Sequence, residues 1–199
     1  RTPQTDGQPL LALTARGFRL RLVLPTATYQ VEEDAPLHYP GRTIRASVRW
    51  ERMPVVSISW DDVVAYAAWL DRTGVVPHAR PCTPDEWERA ARGADGRTYP
   101  HGELLRPSEA NVDATYGRFP DGFGPDEVGS FPDSDSPFAL SDTAGNVWEW
   151  VSDDGNHLFY KGGSWYQQAI DANLANRVAG EHTQRNARLG ARLCADAAR

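Results

Sequence analysis

The chain contains a single lysine, Lys161, and only two cysteines, Cys82 and Cys194. Each scarcity removes a class of chemistry. The lysine lies in Tyr160-Lys161-Gly162-Gly163, which lacks the spacing of a phosphate loop, so Walker-type nucleotide binding and Ser-x-x-Lys catalysis are excluded. Two cysteines cannot build a disulfide framework or a four-cysteine zinc site. One disulfide between them is open, but two ordinary buried thiols are the plainer expectation. The missing framework leans towards a cytoplasmic location. Positive charge is short as well: the formal net charge is -6, without the basic footprint of a general nucleic-acid binder. No apolar run approaches the ~18 residues of a membrane span. The longest stretch, Val63 to Leu70, is a helix face. No signal-peptide pattern opens the chain. It begins at Arg1 rather than methionine, which leaves room for an N-terminal domain outside it. His38, His78, His101, His157 and His182 are scattered without metal-ligand spacing. No Gly-x-Ser-x-Gly elbow supports a hydrolase triad.

What is present is a chain of 199 residues, enough for one domain with a real core. Seven Trp with many Gly and Pro favour a loop-rich fold pinned by aromatic anchors. Residues 1–16 read as a polar lead-in. Gly17 to Leu24 alternates, with Phe18, Leu20, Leu22 and Leu24 on one side and Arg19 and Arg21 on the other, which predicts a half-buried strand. Residues 25–42 are turn-rich, and Arg45 to Trp50 alternates weakly as a second strand. A helix begins after Ser59, whose side chain and Asp62 at N3 form a capping-box pair. Val63, Tyr66, Ala67 and Leu70 then share a face, and Gly74 ends it. A second helix begins after Thr83, with Pro84 at N1 and Glu86 at N3. Its buried stripe is Trp87, Ala90 and Ala91, and Gly93 stops it. Beyond residue 93 the helical signal ends, and a long Gly-, Asp- and Pro-rich region follows. Loops this long inside a domain are usually functional or tied down by ligands. Val147 to Val151 and the surroundings of Trp165 read as short core strands.

Two oxygen-rich clusters stand in the loops: Asn111-Val112 with Asp121-Gly122-Phe123, and Asp142 to Glu149 across a turn containing Gly145. Calcium takes six to eight oxygens from carboxylates, amides and carbonyls. Spacing alone favours the plainer reading, in which these acids cap turns. Glu149, between Trp148 and Trp150, weighs the other way, because a carboxylate among core aromatics needs a partner.

Three segments, taken together, resemble the formylglycine-generating enzyme (sulfatase-modifying factor) family. They are Pro54-Val55-Val56-Ser57-Ile58-Ser59-Trp60, then the stretch from Arg80-Pro81-Cys82-Thr83-Pro84-Asp85-Glu86-Trp87 to Gly93, then Val128-Gly129-Ser130-Phe131-Pro132 with Ala144-Gly145-Asn146-Val147-Trp148-Glu149-Trp150-Val151. Gly162-Gly163-Ser164-Trp165 and Leu189-Gly190-Ala191-Arg192 close the pattern. The match covers roughly residues 50–193, and residues 1–49 fit poorly. The resemblance implies an α+β, C-type-lectin-like fold with a small twisted sheet, two helices and long structured loops, as a single domain over 1–199. Its parts would be a remodelled 1–49, a scaffold over 50–164 and a ligand-binding region over 165–193. It also implies structural Ca2+ at one or two sites. One would use the Asn111 and Asp121 side chains with the Val112 and Phe123 carbonyls. The other would use the Asp142 and Glu149 side chains with the Gly145 and Val147 carbonyls. The family's oxidase holds copper through two cysteines five apart after the Gly-Gly-Ser-aromatic motif, and thiolates are what Cu(I) requires. The matching positions here are Gln167 and Ala172. The related sulfoxide synthases use histidines of an added helical domain that this chain lacks.

Residues 165–192 show no helix or strand period. Scaffold-like positions (Trp165, Asn173 to Arg177, Arg185, Leu189, Gly190, Arg192) alternate with unrelated side chains. That plan resembles the variable proteins of diversity-generating retroelements, where a reverse transcriptase copying a template with errors at adenines diversifies a C-terminal surface. The resemblance implies a non-enzymatic module that binds a protein or cell-surface ligand. Its contacts would be Tyr166, Gln167, Gln168, Ile170, Asp171, Val178, Ala179, Gly180, Glu181, His182, Gln184, Asn186, Ala187 and Arg188. Two other readings stay open, an oxidase of the formylglycine-generating type and a sensor domain of a larger protein.

Overall fold

A computed structural model of the chain describes residues 4–5, 8–153 and 157–196. Its N-terminal part is a three-stranded antiparallel meander, β1 (Leu11–Thr14), β2 (Gly17–Val23) and β3 (Thr28–Glu32). The alternation read in β2 is real at its far end, where Leu22 and Leu24 are buried, while Phe18 at the start is exposed. Two expectations change here. The lead-in contains β1, and the turn-rich 25–42 stretch contains β3. Both are edge strands, of four and five residues; β3 in fact alternates, with Tyr29 and Val31 towards the core and Thr28 and Gln30 exposed, but so short a run among turn formers does not stand out. A two-residue pair follows, β4 (Leu37–His38) with β5 (Ser47–Val48). The strand expected over Arg45 to Trp50 shrinks to β5. Arg45 lies at a φ of 48° and Trp50–Arg52 turn into a 3-10 helix, so neither end can hold an extended ladder.

Helix α1 (Trp60–Thr73) starts as its cap residues demand. The Ser59 hydroxyl accepts the Asp62 N–H and the Asp62 carboxylate accepts the Ser59 N–H, at 3.3 and 2.9 Å. Gly74 closes it in the left-handed region. The buried stripe is Trp60, Val63, Ala67 and Leu70. Tyr66 falls at its margin, stays 55% exposed, and stacks on Trp69 at 5.7 Å instead. After β6 (Ala79–Pro81), helix α2 (Pro84–Arg92) repeats the device with Thr83 and Glu86. Arg80 clamps the Glu86 carboxylate from outside at 2.6 and 2.7 Å and lowers its pKa to about 2. Trp87 and Ala91 are buried, and Ala90 is only half-buried.

The central sheet has four strands in the order β9-β8-β7-β10, where β7 is Trp148–Asp153, β8 is His157–Lys161, β9 is Val178–Ala179 and β10 is Leu189–Ala191. β10 runs parallel to β7 and the other pairs are antiparallel. Side chains alternate across a strand, so β7 feeds two cores. Trp148 and Trp150 pack with Trp60 and Val63 of α1 and with Leu158 and Leu189. Val151 packs with Trp87 and Ala91 of α2 and with Cys82 and Leu174. The expected strand around Trp165 is absent; this residue is buried in a turn and anchors the meander's core with Leu22, Tyr39 and Val147. The last strand, β11 (Leu193–Ala195), pairs with β6. There Cys82 and Cys194 form a disulfide, not two free thiols. The pairing of β11 with β6 brings together residues 112 apart in sequence, which cysteine spacing alone could not foretell. Among the described residues, no helix is long and apolar enough to cross a membrane.

Candidate functional site

The segment after β8 is fixed at a few points and free between them. Gly162 and Gly163 lie at φ 94° and 76°, and a Cβ on Gly163 would stand 2.9 Å from the Ala172 Cα. Only glycine makes this turn. Trp165 then plugs the core, its indole donating to the Ala187 carbonyl at 3.3 Å and its N–H to the Asn146 carbonyl at 2.9 Å. Lys161 is 1% exposed. Its ammonium reaches the Glu88 carboxylate at 3.1 Å and the Asn176 carbonyl at 3.2 Å, above the Trp87 ring. Burial lowers its pKa. The Asn176 amide donates in turn to the Asp171 carbonyl at 2.9 Å. Arg185 pairs with Asp62 of α1 and also reaches the Ser57 carbonyl.

Between these anchors, six of the expected contact residues gather around one cavity of about 240 Å3: Gln167, Asp171, Val178, Gln184, Asn186 and Arg188. Its remaining walls are Trp148, Tyr160 and Leu189. Trp148 and Tyr160 meet edge-to-face at 5.3 Å. Tyr166 stands alongside, 41% exposed, with the Arg188 guanidinium 5.0 Å above its ring and Phe123 against its edge. Gln168, Ile170, Ala179, Glu181 and His182 are exposed elsewhere on the segment. Two expected contacts are not surface choices. Ala187 is 8% exposed and belongs to the meander's core. At Gly180 a Cβ would stand 2.3 Å from the Trp150 ring, which leaves no room for a side chain. Sequence reading missed the aromatic walls, although the Trp148-Glu149-Trp150 alternation carried the signal that both indoles share one face.

The two positions that match the copper cysteines are occupied by other chemistry. The Gln167 carboxamide oxygen accepts the Trp148 indole N–H at 3.2 Å and also the Ser164 hydroxyl. Ala172 is fully buried beneath Gly163. Neither side chain offers a soft donor to copper.

The candidate calcium residues separate into two cases. In the second set, both oxygens of Glu149 are already taken. Arg192 donates from Nη2 and Nε, each at 2.9 Å, and the Trp87 indole donates at 2.6 Å. The partner that a carboxylate among aromatics requires is thus Arg192 with Trp87. With three N–H donors on two oxygens, Glu149 does not fit a calcium ligand. Asp142, 9% exposed, accepts the Gly129 N–H at 2.9 Å. Burial raises its pKa to about 6, and Glu149 adds to the rise. The Gly145 N–H is bound to the Gly162 carbonyl, and Val147 sits in the meander's core. The first set is less committed. Asn111 is buried, and its amide nitrogen is committed to the Gly124 carbonyl at 2.9 Å, so its oxygen is the end left for a cation. Asp121 is exposed, and the Val112 carbonyl already accepts the Thr115 N–H at 3.1 Å; the donor types of the set are all oxygen, the kind calcium takes.

A residue outside the sequence reading organises the same loop. Arg42, 5% exposed, threads into it and donates to the Gly122 and Gly124 carbonyls, both at 2.7 Å, and to the Asp126 carboxylate. Its guanidinium lies 3.8 and 3.9 Å from the Tyr39 and Tyr116 ring centroids. Burial nevertheless leaves the Asp126 pKa raised, with Arg42 opposing the shift.

Comparison with known proteins agrees with this picture. Residues 16–197 match the model of the sulfatase-modifying factor enzyme 1-like domain. The chain is 37% identical over 153 residues to the inactive C-alpha-formylglycine-generating enzyme 2 of Bos taurus, covering 70% of this chain and 46% of that protein. It is 41% identical over 107 residues to the formylglycine-generating enzyme of Mycobacterium tuberculosis, covering 50% and 33%. The chain therefore spans less than half the length of these curated relatives. Among solved structures, Treponema denticola variable protein 1 superposes with a TM-score of 0.64 at 19% identity, covering 80% of this chain and 77% of that one. The likeness is one of fold. The α+β architecture is the C-type-lectin-like fold of the formylglycine-generating-enzyme type, and the chain belongs to the sulfatase-modifying factor enzyme 1-like domain family.

Proposed function

We propose that this chain is a non-enzymatic ligand-binding domain, a variable protein of the diversity-generating retroelement kind. Its binding surface is formed by the outward side chains of the 166–188 segment, which leaves out the buried Ala172, Leu174 and Ala187 and also Gly180. One observation carries the reading: six side chains of this segment, Gln167 among them although it also holds the Trp148 indole, converge on one aromatic-walled cavity. The positions where relatives of the enzymatic branch would hold copper carry Gln167 and Ala172. A hollow of about 240 Å3 suits one side chain or small group of a larger partner, so the ligand is a protein or cell-surface group. Adaptable polar residues around aromatic anchors are what recognition surfaces use. Surface substitutions away from special features shift stability by within about 0.5 kcal/mol, so such a surface can change without unfolding the domain. Calcium belongs to the proposal at the first set only, with Asn111, Asp121 and the Val112 and Phe123 carbonyls bracing the loop beside Tyr166.

The test is the DNA downstream of the gene. A near-copy of the codons for residues 165–192, differing almost only at adenines and lying beside a reverse transcriptase, is the expected finding. Its absence would return the segment to an ordinary diverged surface. Turnover of a Cys-x-Pro-x-Arg peptide in the presence of copper would overturn the non-enzymatic reading outright.

A further inference from the structure

The hollow of the 166–188 segment is small, and its walls are of two kinds. Its volume of about 240 Å3 lies below the roughly 300–1,000 Å3 of sites that enclose a drug-sized molecule, so it takes a single ring and not a chain. The apolar wall is Trp148, Tyr160 and Leu189. The Trp148 indole N–H is already given to Gln167 at 3.2 Å, so this ring has only carbon left to offer a ligand.

The polar wall is made of side chains with unspent hydrogen-bonding capacity. Gln167 accepts through its oxygen, from the Trp148 indole and the Ser164 hydroxyl, and keeps its amide N–H groups. The Asn186 side-chain oxygen accepts the Arg188 backbone N–H at 2.9 Å, and its amide N–H groups remain too. Among the described residues, the Gln184 side chain and the Asp171 carboxylate have no hydrogen-bond partner. Arg188 lies 5.0 Å above the Tyr166 ring and has no ion-pair partner among the described residues.

The charges decide what this wall accepts. Asp171 and Arg188 line one hollow without pairing with each other. A carboxylate would suit Arg188 and be repelled by Asp171. An ammonium group would suit Asp171 and be repelled by Arg188. A neutral hydroxyl suits both, because it donates to a carboxylate and accepts from a guanidinium or an amide. The hydroxyl of a serine, threonine or tyrosine side chain is a single group and would leave most of the wall without a partner. A ring with several hydroxyls around a C–H face meets the polar and the apolar wall together, and such a ring is a sugar.

We propose that the hollow binds one uncharged terminal sugar ring of a glycan. Its C–H face lies on Trp148 and Tyr160, and its hydroxyls bond to Asp171, Arg188 and the three amides. Side chains alone make the grip, without a metal. This rests on the reading of 166–188 as a binding surface and narrows the partner to a glycosylated one.

The probes are the methyl glycosides of glucose, galactose and mannose, titrated into the full chain and followed by NMR at the Trp148 indole N–H and the side-chain amides of Gln167, Gln184 and Asn186. At least one glycoside is expected to shift these signals by about 50 mM, with equal affinity in EGTA and in calcium. The uronate and the 2-amino sugar of the same ring should each bind more weakly. Asp171→Asn should weaken the neutral glycoside about tenfold, the worth of one charged hydrogen bond. Gln184→Ala removes no side-chain bond of the folded domain, so it keeps the test open if the first variant fails to fold; it should weaken binding about threefold to tenfold. No shift with any glycoside, binding that appears only with calcium, tighter binding of a charged sugar or of glycine betaine, or unchanged affinity in both variants would each overturn the proposal. The two readings fail separately. If no glycoside binds but the adenine-substituted template is found beside the gene, the sugar is wrong and the binding surface stands. If a glycoside binds and no template is found, the retroelement reading falls and the sugar site stands.

Discussion

Reducing the Cys82–Cys194 disulfide should destabilise the domain far more than any surface change. The bridge closes a loop of 112 residues. In the chain-entropy account, a cross-link of that span removes about 4–5 kcal/mol of disorder from the unfolded chain. For a domain of this size each kcal/mol moves Tm by about 2–4 °C, so reduction should lower it by roughly 8–20 °C. Local packing sharpens the expectation. Cys82 is 1% exposed beside Trp87 and Val151, and the bridge is the covalent tie between β11 and β6. The assay is a thermal melt with and without a phosphine reductant, with free thiols counted by mass spectrometry. Cys194→Ala is the companion variant, because Cys194 is less buried than Cys82 and its removal leaves a smaller hole. A melt unchanged while both thiols are shown to be free would refute the reasoning, since the loop-closure argument has no other outlet.

Arg42→Ala should cost about 3–5 kcal/mol in chemical denaturation, because it strands the Asp126 carboxylate in the interior; a loss below about 1 kcal/mol would mean that water reaches Asp126. For Asp142 the sign follows from its raised pKa. The folded state holds the proton more tightly than the unfolded chain, so its contribution is present below pH about 4 and is lost as pH rises through about 6. The change from 3.8 to about 6 is worth about 3 kcal/mol. Asp142→Asn should therefore flatten stability between pH 4 and pH 7, and an unaltered pH profile would contradict the assignment. Chelation with EGTA should lower Tm through the Asn111 and Asp121 set, by the equivalent of about 2.7 kcal/mol if free calcium had stood at 100 times its Kd. An identical melt would remove calcium from the molecule.

The parts of this fold that were legible in the sequence are those whose cause is local. Ser59 with Asp62, and Thr83 with Glu86, start helices through bonds three residues long, so the letters alone place them. The β7 strand was legible because Trp148-Glu149-Trp150-Val151 is buried on both faces. What escaped depends on distant partners. Arg42 looks like a surface residue until the 120–126 loop closes around it, and nothing near Cys82 reveals that β11 returns to β6. Glu149 shows the limit most clearly. Its need for a partner was correctly read, but the partner's identity, Arg192 from 43 residues further along, depended on the β7–β10 pairing. For the candidate site, the span of the segment was legible, while the distinction between Asn186, which faces the hollow, and its neighbour Ala187, which plugs the core, was not. Aperiodic backbone carries no rule for which side chain turns inward.

The 162–188 segment leaves the sheet from β8 on one side of β7, touches the outer edge of β8 on its way as β9, and returns as β10 on the other side. It is a strap bridging two neighbours of a single strand, buckled at Gly163, Trp165 and Arg185. The distance it must cover is set by the sheet and not by its own residues. Such a strap can be respelled freely at its outward positions, because no spelling alters the span. Adding or deleting a residue would slip every buckle past its hole at once. Sequence change in this surface is therefore confined to substitution, and its length is as much a part of the fold as the tryptophans beneath it.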